Sequence, residues 1–277
     1  MTEPVFSIVC VYNDEKILNG WLLKGLKSQD SAAELILVDN TGGKFKSAAE
    51  ALNYGGAKAA GEYIIFAHQD LLLEEADWLR RAEAYLRPLP DLGIAGVAGM
   101  LPTPSLGLWK VGTAPVENRL GLVASGPAKT RFLCGTVVSA PTLVQTLDEQ
   151  LLIIPAAVFA RVKFDAAACG DWHLYGTDFA LSAGNLGLRV YVLPLPGYHR
   201  SQGVMSGPYF TTLKKLLKKH YASRSIFTTC GSWHTNLFVN YISLVLMAAR
   251  AEAGRLLGRN TTGGGLSLGR LLLLLRS

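Results

Sequence analysis

Cysteine is sparse in this chain of 277 residues: Cys10, Cys134, Cys169 and Cys230 lie far apart. With no CxxC pair and no Cys/His ligand spacing, neither a cysteine metal site nor a disulfide framework is indicated. Buried free thiols in a reducing cytoplasm are the simplest account. Glycine-rich phosphate loops are missing too. Neither GxGxxG nor GxxxxGK(S/T) follows the first apolar run, which disfavours a dinucleotide-binding Rossmann domain and a P-loop. The N-terminus, MTEPVFSIVC, has no basic n-region and reads as a first strand instead of a signal peptide. Long apolar runs are absent, since Leu237–Met247 is 11 residues long and is interrupted by Asn240. A bilayer span needs roughly 20.

Acid is scarce at one end only. Residues 207–277 hold ten Lys/Arg and a single acid, Glu252, for +9; residues 1–206 hold 17 basic and 20 acidic groups, for −3. Such asymmetry points to an anionic partner for the C-terminal end, either lipid head groups or nucleic acid. Apolar residues make up 49% of the chain, enough to bury the core of one large domain with an appendage.

Three β-α repeats open the chain. Val5–Val11 leads to a helix over Glu15–Lys27 capped by Asn13 or Asp14, and Glu34–Val38 stops at Asp39-Asn40-Thr41 before a small-residue helix over Ser47–Ala60. The stretch Gly61–Asp70 follows. Its Ile64, Ile65 and Phe66 read as a strand buried on both faces, ending in His68, Gln69 and Asp70. This alternation argues a parallel sheet with right-handed crossovers and a ligand site at the strands' C-terminal ends. A carboxylate at that edge suggests a metal or a substrate; equally, Asp70 can cap a helix starting near Glu74.

Glu74–Arg87 reads as an amphipathic helix and Gly93–Met100 as a strand whose small residues permit close backbone approach. Leu101–Phe132, rich in Gly and Pro, reads as a functional loop. Strands around Leu143–Leu147 and Leu151–Ile154 flank Asp148-Glu149, and Pro155 opens a helix over Ala156–Val162. In Cys169–Arg200, Asp178 begins a short helix that Gly187 ends, Leu188–Leu193 is a strand, and His199 closes a Pro/Gly-bounded turn. Trp172, His173 and Tyr175 precede that helix. Wet aromatics beside a carboxylate line many sugar sites, although a buried aromatic cluster is the commoner meaning. Pro208–Ser223 is a basic amphipathic helix, with Leu213, Leu216, Leu217 and Tyr221 on one face and Lys214, Lys215, Lys218 and Lys219 across the other. With Leu237–Met247 and the LLLLL run of Leu266–Ser277, it suggests contact with a membrane or an assembly partner.

Taken in order, these segments resemble a family. A first strand ending in Tyr-Asn, a second ending in Val-Asp-Asn, the run AEALNYGGAKAAGEYIIF leading to Asp70, and a T-D-F-A-L segment before GLRVYVLP and His199 are similar to the family-2 inverting glycosyltransferases of GT-A fold. The HQD ending, the GVAG strand and the YGTD helix start resemble the streptomycin-biosynthesis-type glycosyltransferase-like branch.

The resemblance implies an α/β fold: a mixed, mostly parallel sheet flanked by helices in a catalytic domain over residues 1–203, with a basic helical appendage over 204–277. It implies a nucleotide-sugar donor whose base and ribose face Tyr12, Asn13 and Asp39, with Asn53 and His68 near by. Asp70 and His199 would hold a divalent metal, Asp178 would deprotonate the acceptor hydroxyl, and Trp172, His173 and Tyr175 would meet the acceptor. His68 stands where the first Asp of a DxD motif is usual and Thr177 where a Glu is usual. Imidazole suits Mn²⁺ better than Mg²⁺, so Mn²⁺ is the expected cofactor. The acceptor would be a glycan or a lipid-linked sugar, on a cytoplasmic enzyme peripheral to the inner face of the cell membrane, with no nucleic acid partner. Two rivals stand beside this: a sugar nucleotidyltransferase, whose glycine-rich basic loop is missing, and a non-catalytic nucleotide-sugar-binding or membrane-assembly subunit.

Overall fold

The computed structural model describes residues 4–126, 132–201 and 205–256. In chain order the elements are β1 (Phe6–Tyr12), α1 (Glu15–Gly20), α2 (Leu22–Lys27), β2 (Glu34–Asp39), α3 (Ala48–Gly56), β3 (Tyr63–Ala67), β4 (Leu71–Leu72) and α4 (Trp78–Leu86). Next come β5 (Leu92–Gly96), β6 (Ala98–Met100), β7 (Arg119–Ser125), β8 (Phe132–Cys134), β9 (Thr142–Leu143), β10 (Thr146–Leu147), β11 (Leu151–Pro155) and α5 (Ala156–Arg161). The chain goes on through α6 (Tyr175–Asn185), β12 (Arg189–Val192), β13 (Pro196–His199), α7 (Gly207–Lys219), β14 (Ser225–Phe227), β15 (Ser232–His234) and α8 (Leu237–Leu256).

One mixed sheet runs β2-β1-β3-β11-β5-β12-β9, and a second runs β10-β6-β7-β13-β4 with β8 beside β7. β1 is parallel to β2 and β3, whereas β11 is antiparallel to both β3 and β5. Side chains alternate across β3. Ile64 and Phe66 join a core shared with α3, α5, α6 and α7, while Ile65 and Ala67 join a second core with α1, α2 and α4. Every residue of β3 is buried, as the uninterrupted apolar run demands.

Several elements depart from the sequence expectation. The single helix expected over Glu15–Lys27 breaks at Trp21, whose ring turns to meet Tyr198 edge-on at 4.9 Å. Asp14 caps α1, accepting from the Lys16 and Ile17 N–H groups. The strand expected over Gly93–Met100 divides at Val97, so β5 stays in the first sheet and β6 passes to the second. Close approach at its glycines is real, since a Cβ on Gly99 would sit 2.6 Å from the Thr146 carbonyl oxygen. Leu143–Leu147 divides likewise, β9 pairing with β12 and β10 with β6. The loop expected over Leu101–Phe132 contains β7, a strand hidden because Gly121, at φ 144°, interrupts its apolar pattern.

The helix α7 corrects a larger expectation. Leu213, Leu216 and Leu217 are fully buried in the same core as the sheet, so this leucine face is spent on the protein and is not offered to a membrane. Lys215 donates to the Ala167 carbonyl and Lys219 to Asp165 and Asp178, while Tyr221 lies beyond the helix and is exposed. No helix among the described residues is long and apolar enough to cross a membrane. The LLLLL run of Leu266–Ser277 lies outside the described residues.

Candidate active site

β3 ends at the edge of the first sheet and delivers His68, whose N–H donates to the Gln150 carbonyl at 3.0 Å. The chain then turns through Gln69 and Asp70 into β4, which pairs with β13 so that His199 lies opposite Leu71. Register therefore brings two distant segments together. His68 Nδ1 is 3.2 Å from His199 Nε2, which is 3.2 Å from Asp70 Oδ1. Asp70 caps no helix: its Oδ2 accepts from the Ser201 N–H at 3.2 Å and from the Ser201 hydroxyl. Burial opposes its ionisation, but hydrogen bonds from His199 and Ser201 and the charge of His199 hold the carboxyl well below the usual carboxylate range. Burial pushes His68 down to about 4, with His199 adding to the effect, so at neutral pH its ring is uncharged.

One ligand atom from each of His68, Asp70 and His199 falls within 4.8 Å of the others. Two neutral-capable imidazoles and one ionised carboxylate are a fitting donor set for a borderline divalent ion. His68, expected at the donor, stands inside this cluster, and Ser201 is a supporting group marked in the sequence only by its nearness to His199.

Two cavities meet at His68 and Trp172. The smaller, about 270 Å³, is lined by Tyr12, Asn13, Asn40, Gln69 and Tyr175 among others. Gln69 organises its rim: Oε1 accepts from the Asn13 and Asp14 N–H groups at 3.0 and 3.1 Å, and Nε2 donates to Asn13 Oδ1 at 2.6 Å. Asn40, not Asp39, lines the cavity. Asp39 is exposed at the end of β2, where the Thr41 N–H and hydroxyl, both at 2.8 Å, hold its carboxyl below its ordinary value. Asn53 is not brought to the site, because its amide clamps Phe164, donating to the carbonyl at 2.8 Å and accepting from the N–H at 3.1 Å.

The larger cavity, about 690 Å³, is lined by Asp148, Glu149, Trp172, His173, Thr177 and His199 among others. Trp172 is 42% exposed; His173 lies 3.3 Å from the Ser206 hydroxyl and edge-on to Tyr209. Tyr175 lies instead on the side of the smaller cavity. It is buried, with its hydroxyl 2.8 Å from His68 Nε2 and donating to the Glu149 carbonyl at 3.3 Å.

Asp178 does not line either cavity. It is 1% exposed in the first turn of α6, with Oδ2 accepting from Lys219 at 2.8 Å and Oδ1 2.7 Å from His220 Nε2. Both oxygens are thus committed to α7 and the residue after it. Two carboxylates do line the larger cavity: Asp148, which accepts from the Thr229 hydroxyl at 2.7 Å, and Glu149, which arrives just before β11 and takes hydrogen bonds from the first backbone N–H groups of α6, including Gly176 at 3.3 Å. A Cβ on Gly176 would meet Glu149 Cγ at 2.9 Å, so the missing side chain makes the room that Glu149 fills. Burial, reinforced by the charge of Asp148, pushes the Glu149 carboxyl up to about 8. Leu174, at φ 62°, places Trp172 and Tyr175 on either side of a left-handed turn at the same helix start.

A model of the glycosyltransferase-like family matches residues 6–221. The chain belongs to the glycosyltransferase-like family. No curated protein sequence compared with this family member is a match. Among solved structures it is similar to the mannosyltransferase PcManGT from Pyrobaculum calidifontis in complex with GDP-Man and Mn²⁺, at 16% identity and a TM-score of 0.55, over 99% of this chain and 81% of that one. It is similar also to GalNAc-T7 with UDP, GalNAc and Mn²⁺, at 12% identity and a TM-score of 0.54, over 80% of this chain and about half, 51%, of that one. A third is S. aureus TarS 1-349 in complex with UDP-GlcNAc, at 15% identity and a TM-score of 0.51, over 76% and 65%. These likenesses show that the glycosyltransferase-like chain has the GT-A fold. The family match runs through α7, and so includes Lys219, the ion-pair partner of Asp178.

Proposed function

We propose that the protein transfers a sugar, with inversion, from a nucleotide-diphosphate sugar to an acceptor hydroxyl, in the manner of the streptomycin-biosynthesis-type branch. The observation that carries this is the His68–Asp70–His199 cluster, whose His68 lines both cavities and whose His199 lines the larger. Tyr12, Asn13, Asn40 and Gln69 would take the nucleotide, with Asp39 at the rim. A divalent ion held by His68, Asp70 and His199, Mn²⁺ in preference to Mg²⁺, would supply the positive charge that a departing diphosphate needs. Trp172 offers a sugar-stacking face and His173 a polar contact for the acceptor. Glu149 takes the proton of the acceptor hydroxyl; the oxygen forms its bond to the anomeric carbon as the bond to the diphosphate breaks, and the nucleoside diphosphate leaves with the electron pair. Asp178, bound on both oxygens, positions α6 against α7.

Unfolding midpoints measured with UDP-, GDP- and dTDP-sugars test the donor. One base class is expected to raise the midpoint with Mn²⁺ and to lose most of that effect in EDTA, because a ligand of the native state alone stabilises it. Transfer or hydrolysis of that donor separates an enzyme from a non-catalytic binding subunit. If no nucleotide-sugar moves the midpoint, the reading fails.

A cytoplasmic place at an anionic membrane surface is a second proposal, now supported by α8 and not by α7. Its stretch Leu237–Ala249 carries no charge, and Phe238, Tyr241, Val245 and Leu246 are exposed, Phe238 by 68%. Exposed Trp109 lies near by with the Arg250 guanidinium 5.2 Å from its ring. Aromatics beside cations suit an interface of anionic lipid. Sedimentation with anionic liposomes at low salt, released by salt and by Phe238→Ser with Tyr241→Ser, is the expected result. Equal binding to neutral liposomes, or none to anionic ones, would remove it.

A further inference from the structure

Arg119 opens β7, and its side chain lines the larger cavity. Its Nε–H is buried without a partner, and the guanidinium's one hydrogen bond among the described residues is a long one, from Nη2 to the Ala114 carbonyl at 3.4 Å. A guanidinium carries five donors in a planar fork, and leaving them unmatched in a partly buried wall is costly unless a ligand completes them. A further buried polar atom without a partner, Gln150 Oε1, belongs to a residue lining the same cavity.

Position along the strand says what Arg119 can meet. Ser125, at the other end of β7, pairs with His199. Six residue steps along the strand lead from Ser125 to Arg119, up to about 20 Å at about 3.3 Å per step. A diphosphate held at the His68–Asp70–His199 cluster would therefore lie toward the opposite end of β7 from it. Asp148 follows β10, which lies two strands from β7 across β6. Asp148 is engaged by the Thr229 hydroxyl at 2.7 Å.

We propose that Arg119 forms an anion subsite for the acceptor, receiving a phosphate or carboxylate group that the acceptor carries at a distance from its reacting hydroxyl. The proposal rests on the reading of the larger cavity as the acceptor side. It implies an acceptor longer than one sugar unit, because the span from the cluster to β7's first residue exceeds a single ring.

The test is calorimetric titration of the full chain with glucose 6-phosphate, glucuronate and glucose at constant ionic strength, and separately with UDP and GDP plus Mn²⁺. Wild type is expected to bind one or both charged sugars at least about tenfold more tightly than glucose. Arg119→Gln removes that preference and leaves nucleotide affinity unchanged; Arg119→Lys, which keeps the charge and loses the fork, falls between. The phosphate and carboxylate arms name the group. Equal binding of glucose and the charged sugars by wild type overturns the subsite, as does an Arg119→Gln chain that keeps the preference. A fall in nucleotide affinity matching the fall for charged sugars would assign Arg119 to the donor and overturn it too. If nucleotides fail to bind while the Arg119-dependent preference persists, the donor reading falls and the subsite stands.

Discussion

Asp70→Ala is expected to abolish the Mn²⁺-dependent part of nucleotide-sugar binding and to lower transfer by about a hundredfold or more. Asp70 is the one carboxylate of the cluster, and it is fixed twice, by Ser201 on the side chain and by the Arg200 N–H on its own carbonyl at 3.0 Å. The backbone anchor survives the substitution, so β4 and β13 keep their register. Two imidazoles left facing each other hold a divalent cation far less well than the same pair with an anion beside them. Donor dissociation constants measured with Mn²⁺ and with EDTA decide it. Equal weakening under both conditions would leave Asp70 a structural tie between the two sheets and remove the metal role.

The second large effect belongs to Glu149. Glu149→Gln keeps shape and hydrogen-bonding reach but cannot take a proton, so kcat should fall by about 10²- to 10⁴-fold with little change in donor affinity. The pH profile carries the signature. With its carboxyl raised to about 8, Glu149 is mostly protonated at neutral pH, so kcat/KM should climb about tenfold per unit as pH rises toward 8 and then level. The rising limb should vanish in Glu149→Gln. Stability runs the other way: a carboxyl raised on folding favours the native state when protonated, and that contribution is lost as pH rises from the ordinary carboxylate range through about 8. Asp178→Ala is the control. Removing the buried carboxylate takes the partner of His220 and one of the two carboxylates that Lys219 meets, the other being Asp165, so it should cost stability, about 3 kcal/mol in denaturant unfolding. A well-folded Asp178→Asn chain whose kcat falls a hundredfold, beside a Glu149→Gln chain with normal turnover, would return the base to Asp178.

The difference between these two carboxylates shows where sequence reasoning works and where it stops. His68, Asp70 and the first two strand ends were legible because parallel strands deliver their C-terminal residues to one edge, and apolar runs ending in polar residues mark that edge. Glu149 was not, because it lies in the short link between two strands and reaches the site as the approach to β11. β11 is antiparallel to β3, so its N-terminal approach arrives at the edge where β3 leaves, and no pattern of hydrophobicity tells strand direction. Asp178 carried a motif-like context, yet its partners come from Lys219 and His220, more than forty residues on, at a distance that local periodicity does not reach. Asn53 misled for a similar reason. Its amide was free in the sequence and is occupied in the fold. α7 looked like a surface helix because four lysines flank its leucines; amphipathicity shows that a face will be covered, and only packing shows by what.

His68, Gln69 and Asp70 are consecutive, yet they face different tasks: the outer two meet His199, and the middle one holds the Asn13 and Asp14 backbone at the smaller cavity. Occupants of the two places are joined by a single peptide turn. With the metal and the nucleotide placed as proposed, whatever ordering one ligand imposed on that turn would be ordering the other no longer had to provide, so their affinities would be linked. Thermodynamics makes such a linkage symmetrical: any factor by which Mn²⁺ tightened a nucleotide would equal the factor by which that nucleotide tightened Mn²⁺. A titration of either ligand in the presence of the other thus measures how stiffly this one turn couples the two sites.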